Sequence, residues 1–144
     1  MNFQRPEDAD RESLLALTAA FLDELCVGRG GRELRGDLSA LFHCESEALA
    51  ARLAAEAHSG WVARDTKVAG FGFWFDGVGL IYVTPDSRQQ GTGRGLFKAI
   101  RAEHTVIDFW VRPGDRGAKS FGEALGLKAR KLVMNESQGE GVGA

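Results

Sequence analysis

Cysteine, proline and tyrosine are scarce in this chain of 144 residues, which contains two, three and one of them. The two cysteines, Cys26 and Cys44, form no CxxC pair, so the sequence indicates no disulfide framework. The three histidines, His43, His58 and His104, also lack the spacing that zinc ligands show. We therefore expect no structural or catalytic metal.

A strong charge bias and a long apolar run are absent as well. The formal net charge is only -2, which argues against a broad basic face for nucleic acid. The apolar stretch from Leu14 to Leu22 is interrupted by Thr18, is too short to cross a bilayer, and has no basic leader before it. We expect a cytoplasmic protein with neither a membrane nor a nucleic-acid partner.

What the chain does contain suits one globular domain. Hydrophobic residues make up 44% of it and charged residues 26%, which is enough apolar material for a core of ordinary size. We assign that domain to residues 1–136. The segment 137–144 is rich in glycine and is predicted to be a disordered tail.

Apolar periodicity predicts helices in the first half and mostly strands after it. Helical spacing of Leu14, Leu17, Phe21 and Leu25 indicates a helix that a capping Asp8 or Asp10 begins. The segment between Val27 and His43 is read as a flexible basic loop. The remaining predicted elements are a helix at Glu45–Ala57, strands at Asn2–Arg5, Trp61–Ala63, Val68–Phe75, Leu80–Val83, Thr105–Val111 and Ala129–Met134, and helices at Gly93–Glu103 and Ala118–Leu125. This order predicts an α/β layout with a mixed sheet.

The segment from Val83 to Gly95, VTPDSRQQGTGRG, carries the clearest chemical signal. It joins a strand to a helix, and its glycines let backbone N–H groups converge on one point at the positive end of that helix. Such a turn binds a phosphate or diphosphate. The spacing fits neither the GxxxxGK[ST] loop of mononucleotide-binding proteins nor the dinucleotide fingerprint. The alternative is a tight turn with no ligand.

This segment resembles motif A of the GCN5-related N-acetyltransferases, commonly V-x-P-x-x-[RQ]-x-x-G-x-G/A. The fixed positions are matched by Val83, Pro85, Arg88, Gly91 and Gly93. Further along, Val111, Ala118 and Gly126 match the pattern that ends in Y-x-x-x-G-F. The resemblance implies a three-layer α/β/α fold with a mixed, mostly antiparallel sheet whose C-terminal strand is shortened or missing.

The resemblance also implies that acetyl-CoA is the acyl donor. Its pantetheine arm would pair with main-chain groups from Ile81 to Val83, in a cleft where that strand splays from the one ending at Val111. Its pyrophosphate would lie on N–H groups of the glycine-rich turn. The predicted cofactor-binding residues are Ile81, Tyr82, Val83, Arg88, Gln89, Gln90, Gly91, Thr92, Gly93, Arg94, Gly95 and Phe121.

The catalytic residues are less marked. Where the family often has a tyrosine to protonate the thiolate, this chain has Gly122, so Ser120 or a water is the expected substitute. Tyr82 is either a proton donor near the thioester or a core aromatic. Asp108, expected mid-strand between apolar neighbours, is either the general base or a structural carboxylate.

We therefore expect an enzyme that moves an acetyl group from acetyl-CoA to a primary amine of a small molecule or protein. The alternative is a weakly active or inactive acyl-CoA-binding module that acts as a sensor or partner subunit. Basic residues Arg29, Arg32 and Arg35 either receive an anionic part of the acceptor or form a solvated loop. The strand edge at Ala129–Met134 predicts a homodimer.

Overall fold

The computed structural model describes residues 1–112, 114–131 and 134, and within them the chain forms one four-stranded sheet and five α-helices. The strands are β1 (Asn2–Gln4), β2 (Trp61–Arg64), β3 (Val68–Phe75) and β4 (Val78–Val83). The helices are α1 (Arg11–Val27), α2 (Gly31–Phe42), α3 (Leu49–His58), α4 (Thr92–Arg101) and α5 (Arg116–Ala124).

The sheet is antiparallel, with its strands in the order β1-β2-β3-β4. A two-residue turn joins β3 to β4, and both of its residues, Asp76 and Gly77, have positive φ angles of 49° and 88°. This is the turn geometry that an Asp-Gly pair favours between twisted strands. The register opposes Phe75 to Val78 and Gly70 to Val83, which aligns β4 with almost the whole of β3.

Alternation along the strands divides the apolar side chains between two cores. One core contains Phe71, Phe73 and Tyr82 and is covered by α1, α2 and α3. The other contains Trp61, Ala63 and the buried face of α4. Helices therefore lie on both faces of the sheet, which confirms the predicted three-layer arrangement, and β3 directs Phe71 and Phe73 to one core and Trp74 to the other.

The segment after α1 is a helix, and its prediction as a flexible loop is wrong. α2 buries Leu38 and Phe42, which lie one turn apart. It begins so soon after α1 that a Cβ on Gly31 would lie 1.7 Å from the carbonyl oxygen of Leu25. Only glycine allows this close approach. Charged residues separate the apolar positions of α2, and they obscure its helical periodicity in the sequence.

The buried strand predicted at Thr105–Val111 is reduced to a single bridge. Asp108 N–H donates to the Gly77 carbonyl at 2.8 Å, and its own carbonyl accepts from Gly79 N–H at 2.9 Å. This bridge to β4 is parallel, as predicted for a mixed sheet. The Val106 carbonyl instead accepts from the Trp74 indole, and the Val106 side chain remains 65% exposed.

Toward the C-terminus, the strand predicted at Ala129–Met134 is not formed at Ala129, Arg130, Lys131 or Met134. Leu132, Val133 and the predicted tail at 137–144 lie outside the described residues. The homodimer inferred from that edge stays a prediction. Across the described part of the chain, no helix combines the length and apolar character that a bilayer crossing requires.

A buried carboxylate ties the start of α1 to the sheet. Asp10 is 4% exposed, accepts the N–H of Glu7 at 2.7 Å and forms an ion pair with Arg64 of β2. Burial alone would raise the pKa of Asp10, but the Glu7 N–H and the Arg64 guanidinium hold it below its usual value. The charged form is therefore the one that the fold stabilises.

Replacing Asp10 with Asn leaves Arg64 without its buried counter-charge, and we expect the free energy of unfolding to fall by about 3 kcal/mol. Urea denaturation near neutral pH measures this. Because folding lowers the pKa of Asp10, its contribution is present above the unfolded pKa and is lost as the pH falls through the folded one. Asp8→Asn, on a fully solvated neighbour, is the control, and an equal loss in both variants would contradict the assignment.

Candidate active site

The outer edge of β4 is open at its C-terminal end. Residues of β4 alternate in the direction of their backbone groups, and Gly79 N–H points away from β3, toward Asp108. By the same alternation Ile81 and Val83 also direct their N–H and C=O groups outward, while Thr84 N–H pairs with Ala69 of β3. Within the described residues the chain beyond Asp108 forms no further bridge to β4, so the outward groups of Ile81 and the Val83 N–H are available to an extended ligand, while the Val83 carbonyl accepts from Arg88 Nε.

A helix N-terminus lies directly beyond this edge. Gly91, with a φ of 84°, is the N-cap of α4, and Gly95 N–H makes the first recorded bond of the helix, to the Gly91 carbonyl at 3.0 Å. The N–H groups of Thr92, Gly93 and Arg94 precede that bond and have no partner inside the helix. They converge with the helix dipole on one point, which suits an anion.

The three glycines of this turn do different things. Gly91 has open space around its Cα and is required for its left-handed φ. A Cβ on Gly93 would come within 3.0 Å of the Phe121 ring of α5, so this glycine lets α5 pack against the helix start. A Cβ on Gly95 would meet the Phe3 ring at 2.1 Å. Gly95, predicted to bind the cofactor, therefore serves the packing of β1.

Three polar side chains meet at the end of β4, next to the open edge. Tyr82 donates its hydroxyl hydrogen to Glu24 Oε2 at 2.6 Å. Arg88 donates from Nη2 to Glu24 Oε1 at 2.7 Å and from Nε to the Val83 carbonyl at 2.9 Å. Both oxygens of the Glu24 carboxylate are thus held in place by neighbours from β4 and the loop after it.

Sequence reasoning missed Glu24. It lies on α1, separated by 58 positions from Tyr82 and by 64 from Arg88, so no local motif links the three. Only the packing of α1 across the sheet brings its last turns to the end of β4.

Arg88, which is predicted to bind the cofactor, contacts other groups of the protein. Its guanidinium is directed to Glu24 and the Val83 carbonyl, and it lies 5.6 Å from the centre of the Tyr82 ring. These contacts hold the side chain on the α1 side of β4. A second positive charge, that of Arg94, is exposed on the first turn of α4.

Tyr82 is both a core aromatic and part of the polar cluster. Its ring lies against Phe21 and Phe71 and is 6% exposed, while its hydroxyl reaches Glu24. Burial, the hydrogen bond to Glu24 and the negative charge of Glu24 together raise the pKa of Tyr82 to about 12, although Arg88 acts in the opposite direction. The hydroxyl therefore stays protonated near neutral pH and serves to hold the carboxylate.

The two other predicted catalytic residues lie apart from this cluster. Asp108 is exposed and faces the Val78 end of β4, about 16 Å along the strand from Val83 at ~3.3 Å per residue. The expectation that it is a carboxylate buried in a strand is wrong, because the chain there meets β4 at one bridge. Ser120 is exposed on α5. In the described part of the chain, His, Cys, Asp and Glu side chains form no group of three or more suited to a metal ion.

Solved structures with the same architecture are known. AAC(6′)-Iy, solved with the bisubstrate analogue CoA-S-monomethyl-acetylneamine, superimposes with a TM-score of 0.60 at 14% identity, over 95% of this chain and 97% of that one. The aminoglycoside 6′-N-acetyltransferase AAC(6′)-IG from Acinetobacter haemolyticus gives 0.57 at 15% identity, over 96% and 98%. An integron cassette protein from the V. cholerae mobile metagenome gives 0.53 at 19% identity, over 99% and 94%.

This chain has the N-acetyltransferase fold. The likeness confirms the fold that motif A implied, although no family model and no curated protein sequence matches the chain. Within that fold, the start of α4 follows the open edge of β4 along the chain, and the Glu24 cluster lies on the side of β4 that faces α1. The arrangement places outward main-chain groups and then a helix N-terminus one after the other along the chain, an order that suits an extended anionic ligand.

Tyr82 is the only tyrosine of the chain, so tyrosinate absorbance reports on it alone. We expect a titration midpoint of about 12 in the wild-type protein, against an ordinary value of about 10. Glu24→Gln removes a negative charge and should lower the midpoint. Circular dichroism over the same pH range shows where the chain stays folded. A wild-type midpoint at the ordinary value, in folded protein, would contradict the described cluster.

Proposed function

We propose that this protein is an acetyl-CoA-dependent N-acetyltransferase that acts on a primary amine of a small molecule or protein. The observation that carries the proposal is the continuity of two ligand-binding features in the N-acetyltransferase fold. The outward main-chain groups of Ile81 and the outward N–H of Val83, whose carbonyl accepts from Arg88, are followed along the chain by the N-terminus of α4, capped by the left-handed Gly91. An acyl-CoA has the matching order of parts, an amide-bearing arm followed by a diphosphate.

The donor would bind mainly through the backbone. The amides of the pantetheine arm pair with the outward N–H and C=O groups of β4, as an added strand does. The diphosphate lies on the N–H groups of Thr92, Gly93 and Arg94. The CoA analogue bound to AAC(6′)-Iy supports this assignment, because that protein shares the fold. Gln89 and Gln90, exposed before the helix, remain predicted contacts.

The reaction is direct attack of a neutral amine on the thioester carbonyl. The nitrogen forms a bond to the carbonyl carbon and passes a proton to water, the carbon–sulfur bond breaks, and the thiolate leaves and takes a proton from Ser120 or water. The thioester is the end of the arm farther from the diphosphate, so it lies toward the start of β4 relative to Val83. Ile81 N–H points out of the sheet there and suits the oxyanion of the tetrahedral intermediate, whereas Tyr82 N–H faces Phe71 of β3 in the register.

The missing tyrosine slows this reaction without preventing it. A thiol with a pKa of about 8.5 leaves tolerably near neutrality, and a general acid adds roughly 10²–10⁴-fold at most. Gly122, at the family's tyrosine position, packs toward Leu127 and offers no proton. Ser120 or water is the remaining source we propose. CoA binding without turnover would favour the alternative function, an acyl-CoA-binding module.

The compartment that we propose is the cytoplasm. Cys26 and Cys44 are both free and partly buried, as suits a reducing environment. An acetyl-CoA-using enzyme needs its donor in the same compartment.

Gly91→Leu tests the donor site. The substitution forces a branched side chain into a left-handed conformation at the helix cap, where it disturbs the N–H groups that would hold the diphosphate. We expect CoA affinity, measured by calorimetry, to fall at least about tenfold, or about 1.4 kcal/mol. Gly91 is a cleaner target than Gly93, where a side chain would also displace Phe121.

Gly77→Leu is the matched control. Gly77 has nearly the same φ, 88° against 84°, and the same open space around it, but lies at the opposite end of β4. Its substitution imposes similar backbone strain and should leave CoA affinity unchanged. Equal affinity of the two variants, or no binding of CoA by the wild-type protein, would overturn the proposed function. Acetyl transfer to a panel of primary amines then separates enzyme from binding module.

A further inference from the structure

The guanidinium of Arg112 lies on the backbone at the end of α1. A Cβ added to Gly28, the C-cap of that helix, would lie 2.1 Å from Arg112 Cζ and within 2.5 Å of both terminal nitrogens. Gly28 has an extended backbone with a φ of -96°, so its conformation does not require glycine. The missing side chain instead leaves room for the guanidinium, and the contact holds that group in a defined position.

A second arginine lies beside this contact. A Cβ added to Gly114 would lie 3.4 Å from Arg112 Nη1 and 3.9 Å from Arg29 Cβ, so the turn after α1 and the segment around Gly114 meet. Arg29 is exposed and Arg112 is half-buried, and neither side chain forms a hydrogen bond or an ion pair with any residue that the structure describes. Arg35, which was predicted in the same basic segment, instead donates to Ser46.

The neighbouring groups do not balance the positive charge of this pair. The Glu24 carboxylate, one turn earlier on α1, already has its own cation. The Asp115 carboxylate accepts an N–H in the first turn of α5, and the exposed Arg116 beside it offsets its charge. The carbonyl end of α1 supplies about half a negative elementary charge, whereas Arg29 and Arg112 carry two positive ones. The pair therefore selects an anion.

The two arginines lie near the end of β4, on the side of the sheet that α1 covers. Gly28 follows Glu24 by one turn of α1, or about 6 Å along the helix axis. Glu24 in turn accepts the hydroxyl of Tyr82, the last residue but one of β4. The start of α4, to which we assign the diphosphate of the donor, packs on the other face of the sheet. An anion at Arg112 is therefore separate from the diphosphate site.

We propose that Arg112, with Arg29 beside it, binds an oxyanion of the acceptor, a carboxylate or a phosphate, while the amine of the same molecule reacts. A planar guanidinium donates two parallel hydrogen bonds to either group. The inference rests on the proposed function for the identity of this molecule as the acceptor, but the anion site itself needs no CoA. It names the acceptor class, an amine that also carries a negative charge, and it makes Gly28 a positioning residue for the guanidinium.

The test is an NMR titration of the protein without CoA, with n-butyrate and, separately, inorganic phosphate as probes and n-butanol as the neutral control. We expect at least one of the anions, and not butanol, to shift the amide signals of Gly28, Arg29 and Arg112. Arg112→Gln should weaken that binding about tenfold or more, the scale of a hydrogen bond to a charged group. Arg11→Gln is the matched control, because it removes the same charge at the other end of α1 and should leave the affinity unchanged.

Gly28→Ala separates the position of the guanidinium from its charge. Alanine suits the extended backbone at this position, but its Cβ would displace the end of the Arg112 side chain while both arginines stay charged. The anion affinity should therefore fall toward that of Arg112→Gln. It should stay unchanged in Gly36→Ala, where no other group lies within 4 Å of the added Cβ.

No response of the wild type to either anion, equal affinity of wild type and Arg112→Gln, or equal weakening in Arg11→Gln would each overturn the anion site. Unchanged affinity in Gly28→Ala would overturn the positioning role of that glycine. Displacement of the bound anion by CoA would show that a phosphate of the donor occupies the site, and would overturn its assignment to the acceptor. Anion binding through Arg112 in a protein that fails to bind CoA would keep the site and refute the proposed transferase.

Discussion

The outer edge of β4 governs the rest of the arrangement. One end of it is satisfied by Asp108, whose N–H and carbonyl bond Gly77 and Gly79, and the chain then turns away. Buried main-chain groups need partners, so an edge left open beside two hydrophobic cores is costly unless something else pairs with it. An extended ligand with amide groups removes that cost. The divergence of the chain from β4 therefore creates the groove that we assign to the donor.

The two faces of the sheet present different chemical groups near the end of β4. On the α4 face, Gly91 and the helix start offer backbone donors for negative charge, with Phe121 of α5 packed against the first turn. On the α1 face, the Glu24 carboxylate is ion-paired with Arg88 and accepts from the Tyr82 hydroxyl, so these contacts fix the side chains at the end of β4.

Local patterns predicted the strands and the glycine-rich turn, and missed contacts between distant segments. The strand at Val68–Phe75 and a turn leading into a helix near Gly93 could be predicted because each depends on near neighbours in sequence, and the helix begins one residue earlier, at Thr92, with Gly91 as its N-cap. α2 was missed because charged residues obscure its apolar turns. Glu24 and the true orientation of Arg88 depend on a contact across 64 positions, which no short motif encodes. The position of Asp108 within a buried strand was predicted wrongly, because a run of apolar residues does not distinguish a strand paired along its length from a segment that meets its neighbour at a single bridge.

Amide chemical-shift mapping with CoA tests the central claim most directly, because that claim is about which backbone groups bind the donor. The account predicts that saturating CoA shifts the amides of Ile81, Val83, Thr92, Gly93 and Arg94 most strongly and protects Ile81 and Val83 from hydrogen exchange. Shifts concentrated elsewhere, such as the shallow apolar surface between α1 and α3 that Leu15, Ala51 and Ala55 line, would contradict it. So would saturation with no change at the end of β4.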